Sequence, residues 1–153
     1  MLMFGDSRGI RGQLKADTAS ERLPGDIVWI DLLQPEPWEI GFVERITGLK
    51  VPSLEELSEI ESSSRLRARD GALYLSAPLI YRPAPDQPIS TPVGFVLTRD
   101  RLITVRFAEL TSFASFADRP RPAVEAAAQQ TRHVVQQEAK AAFRRKTGHE
   151  QGL

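Results

Sequence analysis

The sequence lacks cysteine and has only two histidines among its 153 residues, His133 and His149. Without thiols the chain can form no disulfide, no thiolate zinc site and no cysteine nucleophile. Two histidines, both near the C-terminus, also argue against a histidine-rich catalytic metal centre. Carboxylates are therefore left as the candidate metal ligands.

The sequence also lacks a charge excess and a long apolar run. Its 20 lysines and arginines equal its 20 aspartates and glutamates, whereas proteins that bind nucleic acids usually carry a clear basic excess. No stretch of about 18 apolar residues is present, so the chain is not expected to cross a membrane by itself. The N-terminus has no apolar core of a signal peptide. These absences predict a cytoplasmic protein without a nucleic-acid partner.

The composition that is present is that of an ordinary globular domain, with 41% apolar and 26% charged residues. The length suits one domain with its own core. Residues 1–25 are rich in glycine and predict a flexible leader, with one short strand around residues 10–16. The apolar run in "DIVWIDL" that follows predicts a buried strand.

Two helices are predicted after this strand. Pro37 suits a first helical turn and Gly48 a C-terminal stop, and apolar residues recur between them with helical spacing. Ser53 then matches an N-cap, with Glu56 three residues later as its capping-box partner. The second helix is predicted over residues 54–61.

Two hairpins are predicted next. Asp70-Gly71 is a strong turn signal between two strands of alternating apolar residues. Within the second of these strands, Pro78 predicts an edge, a bulge or a bend. Residues 82–90, "RPAPDQPIS", predict a proline-rich loop. The segments "TPVGFVLT" and "RLITVRF" then predict the second hairpin.

The C-terminal part of the chain predicts helices of two kinds. A short helix carries Phe113 and Phe116 on one side. Residues 119–153 are rich in helix formers and predict a long helix and tail, polar enough to project or to need a partner.

This order of elements predicts an α+β (mixed α/β) fold. It comprises a central mixed sheet, made of hairpins and a buried strand, with helices packed on it and a long polar C-terminal helix. The predicted division is a leader over 1–25, an α/β domain over 26–118, and a C-terminal helix and tail over 119–153.

Three glutamates of the second helix, Glu55, Glu56 and Glu59, are the best candidates for metal chemistry. They are three and four residues apart, so they neighbour one another on a helix face. Hard cations such as Mg²⁺ prefer carboxylate oxygens, and one or two carboxylates are enough for a weak site. Alternatively, these charges only solvate the helix and complement its dipole. Spacing alone favours the second interpretation.

Two further groups have a functional and a structural interpretation. Arg65, Arg67 and Arg69 suit an anion or an acidic partner, but they also suit the exposed side of an edge strand, which positive charge protects from unwanted pairing. Trp29 and Trp38 suit ligand stacking, but both lie on apolar stripes. The structural interpretation is favoured in both cases, with the arginines on the exposed side of an edge strand and the tryptophans packed in the core.

No motif of an enzyme is present. The sequence has no phosphate-binding loop, dinucleotide fingerprint, nucleophile elbow or zinc-protease helix. General acid–base catalysis needs a positioned titratable group, and the sequence offers no candidate. The chain is therefore not expected to be an enzyme.

An ordered set of motifs resembles a known family. It comprises the strand "WIDL", a helix ending in "TGL", the tripeptide "LEE", the strand pair around "DGALYL", and "VGFVLTRDRLITVR" before a helix that contains phenylalanine. In this order the motifs resemble the cytoplasmic N-terminal domain of CorA-type magnesium and divalent-cation transporters, over roughly residues 26–118.

The resemblance implies a cytoplasmic α/β domain that leads into a long stalk helix, whose position residues 119–153 occupy. Transporters of this family form homopentamers that pass Mg²⁺ and, in some members, Co²⁺. Mg²⁺ bound between neighbouring cytoplasmic domains holds their channel closed through a population shift. One ligand there is an acidic residue that matches Glu56, with Glu55 and Glu59 as weaker candidates, and its partner comes from the adjacent subunit.

The sequence also departs from this family, because it has no Gly-Met-Asn signature and no membrane helices. The resemblance therefore implies a soluble domain with a cation-sensing and subunit-assembly role, a weak Mg²⁺ site, no organic cofactor and no ion conduction by itself. In a full transporter it would lie at the cytoplasmic face of the cell membrane. The alternative left open is a stand-alone truncated module that binds a protein partner.

Overall fold

The computed structural model of the chain describes residues 1–6, 9–15, 26–59 and 65–117. The elements in these ranges are β1 (Leu2–Asp6), β2 (Gly9–Leu14), β3 (Ile27–Leu33), α1 (Pro37–Thr47), α2 (Leu54–Ser58), β4 (Leu66–Arg69), β5 (Ala72–Ala84), β6 (Gln87–Leu97), β7 (Leu102–Arg106) and α3 (Thr111–Ala117). The strands form one sheet in the order β2-β1-β3-β7-β6-β5-β4. The predicted α+β class is confirmed.

The sheet is mixed because β3 and β7 pair in parallel, with Ile30 opposite Ile103 and Leu32 opposite Val105. The other strand pairs are antiparallel, and they include both predicted hairpins. The parallel pair therefore joins the N-terminal strands to the C-terminal hairpins.

The core lies on the side of the sheet that α1 covers. Ile30, Leu32, Ile103 and Val105 are fully buried there and cluster with Phe42 and Val43 of α1. Burying each such side chain contributes about 1.5–3 kcal/mol relative to leaving it in water. The buried strand predicted from "DIVWIDL" is confirmed.

Helix α1 begins and ends where its sequence signals predict. Pro37 occupies the first turn, and Gly48 ends the helix in the left-handed conformation, with φ of 68°. Glu39 is buried in the first turn, where its Oε2 accepts a hydrogen bond of 2.8 Å from the Glu36 backbone N–H. The same oxygen lies 2.9 Å from the Met1 ammonium group.

The prediction of a flexible leader is wrong for residues 2–6, which form β1, whereas the short strand predicted around residues 10–16 corresponds to β2 at Gly9–Leu14. Strand β1 pairs with β3 and belongs to the sheet, and Leu2 is buried in the core. Gly12 lies opposite Phe4, and a Cβ at Gly12 would make only an ordinary van der Waals contact of 3.5 Å with the Phe4 ring.

The prediction of a loop over residues 82–90 is also wrong. Strand β5 continues to Ala84 and β6 begins at Gln87. Pro78 and Pro92 lie directly opposite each other. Proline has no backbone N–H to donate, so Pro78 and Pro92 occupy a non-hydrogen-bonded pair of the antiparallel ladder. In such a pair the backbone polar groups point away from the partner strand. The backbone N–H of Ser76, two residues before Pro78, accordingly donates outward to the Arg65 carbonyl.

The remaining predictions concern the edge of the sheet and the C-terminus. Beyond Ser76, no strand of the described residues pairs with the outer side of β5, so the edge predicted from Pro78 is confirmed. Helix α3 contains Phe113, as predicted, at 111–117. The predicted long helix and tail over 119–153 lie outside the residues that the structure describes.

Candidate functional site

The first feature of the site is the cap of α2. Ser53 Oγ accepts a hydrogen bond of 3.1 Å from the Glu56 backbone N–H, and Glu56 Oε2 accepts one of 2.9 Å from the Ser53 backbone N–H. The predicted capping box is therefore confirmed. Helix α2 ends at Ser58, with Glu59 as its C-cap, earlier than the predicted end at residue 61.

The second feature is an ion pair that the sequence analysis missed. Lys50 Nζ lies 2.5 Å from Glu56 Oε1, and the two side chains are about half exposed. The hydrogen bond from Lys50, followed by that from the Ser53 backbone, lowers the pKa of Glu56 below its ordinary value. Both carboxylate oxygens of Glu56 are therefore engaged, one by a backbone amide and one by an ammonium group.

The other two candidate glutamates lie on the same short helix. Glu55 is exposed in its first turn, and Glu59 is exposed at its end. Within the described ranges, no group of three or more histidine or carboxylate side chains is arranged to hold a metal ion. These residues fit a weakly held, hydrated cation at Glu56 only where Lys50 releases Oε1, because Mg²⁺ requires oxygen ligands.

The arginine row borders the same region. Strand β4 is the edge of the sheet and is exposed, as predicted. Arg67 and Arg69 of this strand and Arg65 just before it also line a cleft of about 480 Å³, and Lys50, Glu56 and Glu59 line the same cleft. Glu56 and Glu59 therefore face the same cleft as the three arginines, which their spacing in the sequence did not reveal. Arg69 also pairs with Asp70 at 3.0 Å.

Tyr74 of β5 lines this cleft together with Lys50 and the three arginines. Its hydroxyl oxygen is buried and makes no hydrogen bond within the described part of the chain. Burial raises the pKa of Tyr74 above its ordinary value, because the ionised phenol would lose its hydration.

A second polar cluster is buried between β3 and β7. Arg106 donates to Asp31 from Nε at 3.0 Å and from Nη2 at 2.8 Å, both to Oδ2. Thr104 Oγ1 donates to Asp31 Oδ1 at 2.6 Å and accepts from Trp29 Nε1 at 3.0 Å. The only sequence signal for this cluster is a charged residue inside each of two apolar strands.

Neither tryptophan belongs to the buried core, so the prediction of core packing is wrong. Trp29 is partly buried beside Phe113, with ring centroids 6.4 Å apart. Trp38 is partly buried on α1 and donates to Glu36 Oε2 at 2.8 Å. Each indole N–H has a polar partner, Thr104 for Trp29 and Glu36 for Trp38.

Comparison with known proteins shows similarity to CorA magnesium transport proteins. No family model matches the chain. The magnesium transport protein CorA of Escherichia coli (strain K12) is 32% identical over 94 residues, which are 61% of this chain and 30% of that protein. CorA of Wolinella succinogenes is 32% identical over 92 residues, which are 58% of this chain and 29% of that protein. The predicted resemblance to CorA is confirmed. The chain spans less than a third of the length of these curated CorA proteins.

Solved structures agree on the fold. The soluble domain of CorA from Methanocaldococcus jannaschii matches with a TM-score of 0.50 and 12% identity, over 75% of this chain and 44% of that one. The full-length CmaX protein matches with a TM-score of 0.52 and 17% identity, over 74% and 36%. The chain thus has the fold of the CorA soluble domain. No helix in the described ranges is long and apolar enough to cross a membrane.

Proposed function

We propose that this chain is the regulatory domain of a CorA-like transporter of Mg²⁺ or Co²⁺. It senses the cation at the cytoplasmic side and supports the assembly of identical subunits, without conducting ions or catalysing a reaction. The observation that supports this most is the 32% identity to CorA over 94 residues, together with the shared sheet fold. Because the chain spans 30% of that relative, conduction is assigned to parts of a transporter outside it.

Within this proposal Glu56 is the cation ligand and Glu55 and Glu59 add negative charge beside it. Mg²⁺ keeps several waters in protein sites and needs only one or two carboxylates, so a single glutamate supports weak binding. A second subunit adds the further ligand. Binding therefore favours the associated state, because a cation that contacts two subunits stabilises them together.

The test combines calorimetry with native mass spectrometry on the whole chain. Titration with millimolar Mg²⁺ should give weak binding heat and a shift towards higher oligomers, compared with NaCl of the same ionic strength. Glu56→Gln is the matched variant. Glutamine still serves as a capping-box partner, so α2 keeps its N-terminus while the charge is lost.

Two results would decide against the proposal. One is the absence of binding heat and of any change in mass at every Mg²⁺ concentration. The other is the same binding in Glu56→Gln as in the unmodified chain, which would place the cation elsewhere.

A further inference from the structure

We propose that β4 is a docking edge for an extended segment of another protein, in which acidic and apolar side chains alternate. The segment adds a strand to the sheet beside β4. Its acidic side chains lie beside the arginine row, which is Arg65, Arg67 and Arg69, and its apolar side chains lie on the opposite face. This inference goes beyond the proposed function, because it concerns a protein partner and requires no cation.

The backbone of β4 is paired on one side. In the part of the chain that the structure describes, β4 is the last strand of the sheet and its partner is β5. The Ser76 N–H donates to the Arg65 carbonyl at 2.9 Å, so the backbone groups of Arg65 point towards β5. Along an antiparallel strand, successive residues point these groups to alternate sides. Those of Leu66 and Ala68 therefore point outward, where an added strand can form hydrogen bonds with them.

The two faces of β4 carry different side chains. Because side chains alternate along a strand, the arginine row shares one face, and Leu66 and Ala68 share the other. Leu66 is 40% exposed and lies opposite Leu75 of β5, which is also 40% exposed. One face of this edge is thus basic, and the other is apolar and open to solvent.

The cleft beside the arginine row leaves room for acidic side chains. Its volume is about 480 Å³, and four basic side chains line it against two acidic ones, Glu56 and Glu59. Glu56 is paired with Lys50, so its charge is offset within the protein. A chain with equal numbers of acidic and basic residues therefore has a local basic excess at this edge.

The arginine row also determines which strands can pair here. Positive charge on an edge strand discourages pairing with most other strands. Opposite charges across a strand pair stabilise it, however, and like charges destabilise it. The edge therefore selects an acidic strand partly by repelling the others.

The experiment uses a labelled synthetic peptide, acetyl-Thr-Glu-Val-Glu-Val-Glu-Thr-amide, and the whole chain at low ionic strength. Fluorescence polarisation gives the Kd, and amide hydrogen exchange followed by NMR locates the contact. We expect binding that weakens with added salt, and slower exchange at the Leu66 and Ala68 amides. A peptide with the same residues in the order Thr-Glu-Glu-Glu-Val-Val-Thr should bind about three- to tenfold more weakly, because its acids cannot all face the arginine row.

Variants test the charges and the backbone separately. Arg67→Glu should raise the Kd by about three- to tenfold, because a cross-strand attraction becomes a repulsion. Arg82→Glu is the matched control, since Arg82 is an exposed arginine of β5 towards the tip of the β5–β6 hairpin, and it should leave the Kd unchanged. Ala68→Pro removes an outward N–H, which an edge strand tolerates, and should weaken binding with unchanged circular dichroism. Methylating alternate backbone nitrogens of the peptide should weaken binding in the same way without altering the protein.

Three results would overturn this inference. One is equal binding of the two peptide orders, or of the methylated and unmethylated peptides, which would reduce the contact to charge attraction. Another is the same Kd for Arg67→Glu as for Arg82→Glu. The third is no binding of the alternating peptide to the folded chain at millimolar concentration. None of these results depends on Mg²⁺, so the proposed function is tested separately.

Discussion

The buried pair between β3 and β7 gives the most demanding prediction. Replacing Arg106 by methionine removes the guanidinium group and keeps most of the apolar stem. The Asp31 carboxylate then keeps the hydrogen bond from Thr104 but loses both donors of Arg106. We expect this single change to destabilise the fold strongly, since a buried charge without its partner is costly.

The size of the effect follows from burial. The side chains of Asp31 and Arg106 are only 3% and 8% exposed, so water cannot replace the lost donors. Breaking a pair of this kind costs about 3–5 kcal/mol. Small domains are stable by about 5–15 kcal/mol, so Arg106→Met should remove a large share of the total. The guanidinium group also lies 4.7 Å from the Phe113 ring centroid, and that contact is lost as well.

Urea denaturation followed by tryptophan fluorescence measures this loss, and Trp29 contributes to the signal from beside the pair, because its indole contacts Thr104. The control is the double variant in which Asp31→Leu accompanies Arg106→Met. Removing both charges leaves no unpaired buried charge, although the Thr104 hydroxyl loses its Asp31 acceptor, so the double variant should lose less stability than the sum of the two single variants.

Two results would refute this reasoning. A loss below about 1 kcal/mol in Arg106→Met would mean that the pair behaves like an exposed one. A double variant whose loss equals the sum of the single variants would mean that Asp31 and Arg106 act independently.

Two further changes test the region around α2. Gly94→Ala would place a Cβ 3.0 Å from two methyl carbons of Leu57. We therefore expect it to lower the free energy of unfolding by about 1–2 kcal/mol in urea denaturation. Gly41→Ala is the control, because nothing lies within 4 Å of its Cβ, and it should cause no loss of stability. Equal effects at the two glycines would contradict this packing. The Lys50 hydrogen bond lowers the pKa of Glu56 in the folded protein below its ordinary value of 4.5. The ionised carboxylate therefore stabilises the fold fully at pH values above 4.5, and this stabilisation is lost as the pH falls through the pKa of the folded protein. The stability difference between the unmodified chain and Glu56→Gln should therefore shrink in acid, and a difference that is the same at pH 7 and in strong acid would disprove the ion pair's contribution.

Features fixed by neighbouring residues could be predicted from the sequence. The cap of α2 needs only Ser53 and Glu56, three residues apart, and the first hairpin needs only Asp70 and Gly71. Both turn residues have positive φ, 51° and 75°, which Asp and Gly tolerate better than most residues. These signals work because the energy that selects the conformation is local.

Features fixed by distant residues could not be predicted in the same way. Asp31 and Arg106 are 75 residues apart, and nothing in either strand indicates that they pair in parallel. Lys50 and Glu56 are closer in sequence, but Lys50 lies in the connection before α2 and Glu56 lies within α2. The spacing rules for side chains on one helix therefore do not predict their contact. The cleft depends on how β4 lies beside α2. Tertiary packing therefore determined the site, while the local signals determined the elements that form it.

The opposed prolines of the long β5–β6 hairpin affect how readily strands of different molecules pair with it at high protein concentration. The hairpin extends past its neighbours and exposes apolar side chains, with Ile80 72% and Ile89 42% exposed. Such an arm would ordinarily be a template for fibre-like stacking of strands. Pro78 and Pro92 leave each outer edge without a donor at a position where an added strand would need one. A strand that another molecule added to either edge of this arm would therefore lack one hydrogen bond at the proline, whereas contacts through the exposed side chains carry no such cost.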